Sequence, residues 1–137
     1  MINFPENKKI IMFDGICNLC NRSVQKIIRH DKNDIFRFVP LQSEIGRQII
    51  NERGIDTAQL DSILLIEPGI AYYHKSTAVL MIAGHLDKYS WLRHLKVLPE
   101  GFRDAIYSFI ARNRYNWFGK KDRCMVPTPQ SRDLFLK

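Results

Sequence analysis

The apolar run Ile10-Ile11-Met12-Phe13 stops at Asp14-Gly15 and gives way almost at once to a helical pattern. The run is short, rich in β-branched residues and bounded by a turn signal, so Lys8 to Phe13 reads as a buried strand. Apolar residues then recur at Cys20, Val24, Ile27 and Ile28, which is one face of a helix from about Cys17 to His30. The junction between them reads Asp14-Gly15-Ile16-Cys17-Asn18-Leu19-Cys20. A Cys-x-x-Cys pair at this point has both sulfurs on the first helical turn, near enough to close a disulfide and open it again. The apolar stripe also predicts that Cys20 faces inward and that Cys17, at the helix mouth, is the better exposed of the two.

The same alternation continues along the chain. Ile35 to Val39 reads as a second strand stopped by Pro40. About Ser43 to Arg53 reads as a helix with Ile45, Ile49 and Ile50 inward and Gly54 to end it. Leu60 to Glu67 is a third strand, Pro68-Gly69 a turn, and Ile70 to His74 the returning hairpin partner. Ser76 is placed to cap a helix over Thr77 to Gly84. A short helix over Trp91 to Leu98 follows. Pro99 then suits the first turn of another, with Phe102, Ala105, Ile106, Phe109 and Ile110 on one stripe. Asn116 to Lys137 reads as irregular until a short final turn. The pattern is β-α-β-α-β-β-α plus a helical extension: one α/β domain, with about 8–87 as its core fold and about 88–137 as the extension. Trp91, Phe102, Phe109 and Trp117 read as core residues from their size and apolarity.

No apolar run approaches the length of a bilayer span, and the first nine residues lack a signal-peptide layout, so the expected location is the cytoplasm. That setting bears on the cysteines. There are three, at 17, 20 and 124. An odd count in a reducing compartment argues for catalytic or metal-binding thiols over a disulfide framework. Net charge is +7, and it is unevenly placed. Residues 1–70 hold nine basic and nine acidic side chains, whereas residues 71–137 hold twelve and five. The excess is densest around Arg112, Arg114, Lys120, Lys121 and Arg123, interleaved with Tyr115, Trp117 and Phe118. This reads either as a solvated basic face or as a surface for an anionic partner: a lipid surface, an acidic protein or, as the weaker reading, nucleic acid.

Three uses of the cysteine pair stay open on the residues alone. In dithiol exchange the Cys17 thiolate, favoured by the positive helix end, attacks a substrate disulfide and Cys20 resolves the mixed disulfide. In metal ligation, Cys124 and one of His74, His85 or His94 would complete a four-ligand site. In the third, the two cysteines are small, half-buried apolar residues. Asp14 either accepts the Cys20 proton during resolution or caps the helix and shapes the turn. Cys124, in a basic setting, is a third redox thiol, a ligand or an inert packed residue. His30, near its helix end, is read as a favourable C-terminal charge when protonated. A strand ending in Asp also resembles the start of a haloacid-dehalogenase-type phosphatase. That chemistry needs a second carboxylate two residues on, where this chain has Ile16.

The element order with Cys-x-x-Cys after the first strand resembles the thioredoxin fold. Asp14-x-x-Cys17-x-x-Cys20 after Ile11-Met12-Phe13 more specifically resembles the DCC family, which takes its name from that Asp, Cys, Cys trio. The likeness extends to Leu60-Asp61-Ser62-Ile63, to the Ser76-x-Ala78 helix start, and to Asn113-Arg114-Tyr115-Asn116-Trp117-Phe118-Gly119 with Cys124 beyond. It implies a thioredoxin-like thiol-disulfide oxidoreductase of a short bacterial type. Cys17, Cys20 and Asp14 would be its site residues, a protein or small-molecule thiol or disulfide its substrate, and another thiol system its electron source, with no organic cofactor. One departure is Ala58-Gln59-Leu60-Asp61-Ser62, which lacks the proline that thioredoxin-like enzymes set against their cysteine pair. That proline positions an incoming peptide and keeps metals off the pair, so its absence favours metal binding at Cys17 and Cys20.

Overall fold

The fold is built on a strand that is apolar on both sides because both of its sides are covered. In the computed structural model, which describes residues 8–15, 17–54, 63–67, 71–119 and 134–135, β1 spans Lys9–Phe13, and Ile10 to Phe13 are fully buried. β1 is central in a four-stranded mixed sheet of order β2-β1-β3-β4, with β2 at Phe36–Pro40, β3 at Leu64–Glu67 and β4 at Ala71–His74. It runs parallel to β2, pairing Ile11 with Phe38, and antiparallel to β3, pairing Ile11 with Leu65. β3 and β4 are antiparallel neighbours. Successive side chains alternate between faces. Ile11 and Phe13 therefore join a core with Val24 and Ile27 of α1 (Asn18–His30) and Ala78 and Ile82 of α3 (Lys75–Gly84). Ile10 and Met12 join the opposite core with Ile49 and Ile50 of α2 (Glu44–Arg53). The expected order β-α-β-α-β-β-α is the observed one.

Local chemistry sets the element ends. Ser43 caps α2, its hydroxyl accepting from the Gly46 amide at 3.0 Å and donating to the Pro40 carbonyl at 2.7 Å. Gly54 ends α2 in the left-handed region at φ 61°, as its position in the sequence predicts. Gly46 has a different reason to be glycine: a Cβ there would overlap the Pro40 carbonyl oxygen. Asp31 closes α1 and starts β2 by accepting from the amides of Ile35 and Phe36 at 2.9 and 3.0 Å.

Several expectations are corrected. Ser76 is not a cap: α3 begins directly at Lys75, and the Ser76 hydroxyl instead donates to Asp104. The helix expected over Trp91 to Leu98 is a 3-10 helix over Asp87–Val97, a tighter winding that stacks side chains every third residue. The last helix, α4, runs over Glu100–Phe118, so Asn116 to Phe118 are helical, and Pro99 stands just before it. Trp91, on the 3-10 helix, and Phe102, Phe109 and Trp117, on α4, are not core residues; each keeps more than half its surface in water, and α4 meets the domain along other positions. Those include Tyr107, whose hydroxyl accepts from the Ile63 amide at 2.9 Å, and Asp104. His30 packs edge-on against Tyr89, and lost hydration together with Lys88 and Arg29 holds its pKa below the ordinary value, opposing the expected charge. The expected final turn appears at 134–135, where Phe135 bridges to Phe38 and packs its ring on Phe13 and Phe38. The Pro68-Gly69 turn, the Leu60 to Ser62 start of the third strand and the stretch without a proline lie outside the described residues.

Candidate active site

The end of β1, the start of α1 and the last turns of α4 converge on one point. Cys17 is the N-cap of α1, in extended conformation, and its Sγ accepts a hydrogen bond from the Cys20 amide at 3.4 Å. Cap residues do this with oxygen in most helices. A sulfur in that place meets the positive end of the helix and an N–H donor together. Cys17 and Cys20 are free thiols, close enough for their side chains to hydrogen-bond. Cys20 is held as a thiol: burial, then the charge and hydrogen bond of Cys17, push its pKa up to about 12.

The expected exposures are reversed. Cys17 is fully buried and Cys20 is half-buried. The residue after Cys17 is tied to the far end of α4. Asn18 donates through its amide to the Gly119 carbonyl at 3.2 Å and through Nδ2 to the Phe118 carbonyl at 2.8 Å. The amphipathic stripe of α1 describes only that helix and carries no information about a second helix packed across its end.

Asp14, at the end of β1, is buried. It does not cap α1, since Cys17 does, although its carbonyl accepts from the Cys17 amide at 3.3 Å in the turn between them. Its carboxylate accepts from Gln42 Nε2 at 2.6 Å, from Arg114 Nη2 at 3.1 Å and from the Tyr115 hydroxyl. Gln42 also accepts from the Gly15 amide at 2.9 Å, and Asn21 of α1 donates to the Gly15 carbonyl at 3.0 Å, so the turn is fixed from both sides. Arg114 is buried as well. Burial opposes its charge, but hydrogen bonds to Tyr115 and Asp14 hold its pKa above the ordinary value. Burial and the Asp14 hydrogen bond push the Tyr115 pKa up too. Arg114 and Asp14 both act on Cys20, the first lowering and the second raising its pKa.

Sequence reasoning placed Arg114 in a basic surface cluster. The structure takes it out of that surface and makes it the partner of Asp14. Arg114 and Tyr115 lie in the tail segment carried by the family resemblance, which is the one signal that could have found them; Gln42 has no such signal. Lys120, Lys121, Arg123 and Cys124 lie outside the described residues, as does Ile16. Of the expected metal partners, His85 packs edge-on to Phe36, and His94 is exposed on the 3-10 helix. Among the described residues, no group of three or more His, Cys, Asp or Glu is arranged to hold a metal ion. No described helix is long and apolar enough to cross a membrane.

Comparison with known proteins gives the family. The DCC1-like thiol-disulfide oxidoreductase family matches residues 11–120, which span the Asp14, Cys17 and Cys20 motif and the Arg114-Tyr115 segment. The Bacillus subtilis protein YuxK is 43% identical over 130 residues, covering 93% of each chain. A chloroplastic DCC family protein of Arabidopsis thaliana is 40% identical over 124 residues, covering 88% of this chain and 72% of its own. No solved structure gives a significant match. With a family match over most of its length and two relatives aligned across the same span, this chain belongs to the DCC1-like thiol-disulfide oxidoreductase family.

Proposed function

We propose that the protein is a thiol-disulfide oxidoreductase of thioredoxin-like fold working through Cys17 and Cys20. One observation carries the reading: Cys17 sits at the N-cap of α1 with the Cys20 amide on its sulfur. That placement suits a leaving or attacking thiolate, while Cys20 keeps its proton until the mixed disulfide needs resolving. The sheet order, with α1 and α3 on one face and α2 on the other, supports the fold.

In the proposed cycle the Cys17 thiolate attacks one sulfur of R–S–S–R, forming Cys17–S–S–R and releasing RS⁻. Cys20 gives up its proton and attacks Cys17 Sγ, closing the Cys17–Cys20 disulfide and releasing the second RS⁻. Two electrons pass from the pair to the substrate, and the two thiol protons end on the released thiolates. Two molecules of a second thiol R′SH, supplied by the reducing cytoplasm, reset the pair and leave as R′–S–S–R′. Asp14 and Arg114 set the field in which Cys20 loses its proton, and Asp14 is the acceptor in this scheme.

The test is a redox titration. The metal-free protein is equilibrated against graded glutathione buffers, quenched with an alkylating agent, and the labelled cysteines are located by mass. The expected result is loss of label from Cys17 and Cys20 together, in one reversible two-electron step. Cysteines that stay reduced across the range, or that form no mutual disulfide, would end the proposal.

A further inference from the structure

A cleft of about 340 Å³ opens beside Cys20, between α1, α3 and α4. Leu19, Cys20, Val79, Ile82 and Leu86 line it with hydrocarbon and one sulfur. Two of its hydroxyls are already engaged, Ser23 donating to the Leu19 carbonyl at 2.9 Å and Tyr107 accepting from the Ile63 amide at 2.9 Å, and Tyr89 adds a third. Lys26 is the only formally charged residue in the lining, and it is exposed. The volume is at the lower end of the range for small-molecule sites, roughly 300–1,000 Å³. A polar peptide would find little here to replace its lost water, and an uncompensated polar group costs about 1–3 kcal/mol. An apolar molecule loses nothing comparable and gains its burial.

We infer that this cleft seats the apolar body of a small organic disulfide, and of the thiol it becomes, and brings its sulfur to the Cys17–Cys20 pair from the Cys20 side. This rests on the dithiol reading above and names the substrate class for it. The chemistry is the cycle already written. The substrate S–S bond breaks, the Cys17–Cys20 bond forms, two electrons and two protons pass to the substrate, and the resulting thiol leaves through the cleft. The reset takes two equivalents of a polar thiol of the glutathione class, which leave as its disulfide and do not need the cleft.

The test compares two disulfides on the reduced protein: 4,4′-dithiodipyridine, which is neutral and aromatic, and oxidised glutathione, which is polar and charged. Val79→Glu puts a carboxylate at the cleft wall on a side chain already 39% exposed, so folding is preserved. The expected result is that the ratio of the two rates, aromatic over polar, falls about tenfold or more in the variant. Ala83→Leu, which narrows the cleft without charge, should move the ratio the same way. A binding readout without chemistry uses 1,2-bis(4-pyridyl)ethane, the isostere with carbon in place of sulfur. In wild type it should shift the amide NMR signals of Leu19, Val79 and Leu86, and in Val79→Glu it should not. If both disulfides close the Cys17–Cys20 bond and the ratio is unmoved in both variants, the cleft assignment falls and the dithiol reading stands. If the isostere binds at these residues but neither disulfide closes the bond, the cleft binds apolar molecules and the dithiol reading falls.

Discussion

Two halves of this molecule use apolar residues in opposite ways. From Ile10 to Phe13, every side chain of β1 is shut off from water. Along α4, Phe102, Ile106, Phe109 and Trp117 each keep about half their surface exposed. The sheet half is held by hydrocarbon packed on two sides. The α4 half is held by a few directed bonds: Ser76 and Asp104, Tyr107 and the Ile63 amide, Arg114 and Tyr115 with Asp14, and Asn18 with the α4 end. The difference shows that helical periodicity reports amphipathicity and not which face is inward. The apolar stripe on α4 points outward, and Asp104, Tyr107 and Arg114, which bond to the domain, come from its other sides.

The contrast can be broken most sharply by truncating one aromatic ring in each half. Phe38→Ala should cost about 3–5 kcal/mol, because a fully buried ring leaves a cavity between Phe13 and Phe135. Phe102→Ala should stay within about 0.5 kcal/mol. Urea denaturation of both variants decides it, and an equal loss would mean that the α4 stripe is covered in solution.

A smaller but more local effect separates two arginines on α4 two residues apart. Arg114→Met removes the charged partner of the buried Asp14 carboxylate, leaving it to Gln42 and Tyr115, and should cost about 3 kcal/mol. Arg112→Met, on an exposed side chain, should cost almost nothing. The Arg114 variant should also drive the Cys20 thiol pKa higher, since the guanidinium is what lowers it; alkylation rate against pH reads this directly.

Two glycines sharpen the comparison further. Gly46→Ala forces a methyl against the Pro40 carbonyl and should destabilise by about 2 kcal/mol. A Cβ at Gly101, in the first turn of α4, meets nothing within 4 Å, so Gly101→Ala should stabilise by up to about 1 kcal/mol. Thermal denaturation should give shifts of opposite sign.

Asn18→Ala removes the side-chain half of the link to α4 and should lower stability by about 1 kcal/mol. Its more telling readout is Cys17, whose alkylation should speed up as the helix mouth opens. The least change is expected on titration near neutrality. Cys20 has its pKa raised from 9.0 to about 12 in the folded protein, so its thiol form supports the fold fully below pH 9. That support is lost as pH rises from 9 through 12. Stability measured from pH 7 to 11 should be flat at first and then fall, and in Cys20→Ser the fall should be smaller.

The sheet and the three helices around it were legible because strand runs and helix stripes in this half end at turn and cap residues such as Asp14-Gly15, Ser43 and Gly54. The cysteine pair was legible for the same reason: its spacing is local. What the chain did not disclose is long-range. Nothing near Arg114 in sequence distinguishes it from Arg112, yet one pairs with Asp14 across 100 positions and the other faces solvent. The tie of Asn18 to Phe118 and Gly119 was hidden likewise. Trp91 and Phe102 misled because size and apolarity describe a preference for burial, and only the packing of other elements decides whether it is met.

The separation of these partners also bears on the order of assembly. Asp14 with Arg114, and Asn18 with Phe118, are each 100 residues apart. Contacts of that span carry a large loop-closure cost and form after local helices and neighbouring strands are in place. During synthesis the cysteine pair leaves the ribosome well before Arg114 and Phe118. Until α4 docks, the nascent chain therefore presents the dithiol end of α1 without its tie at Asn18 or the Arg114 partner of Asp14, and completion of the last helix is what fastens that end in place.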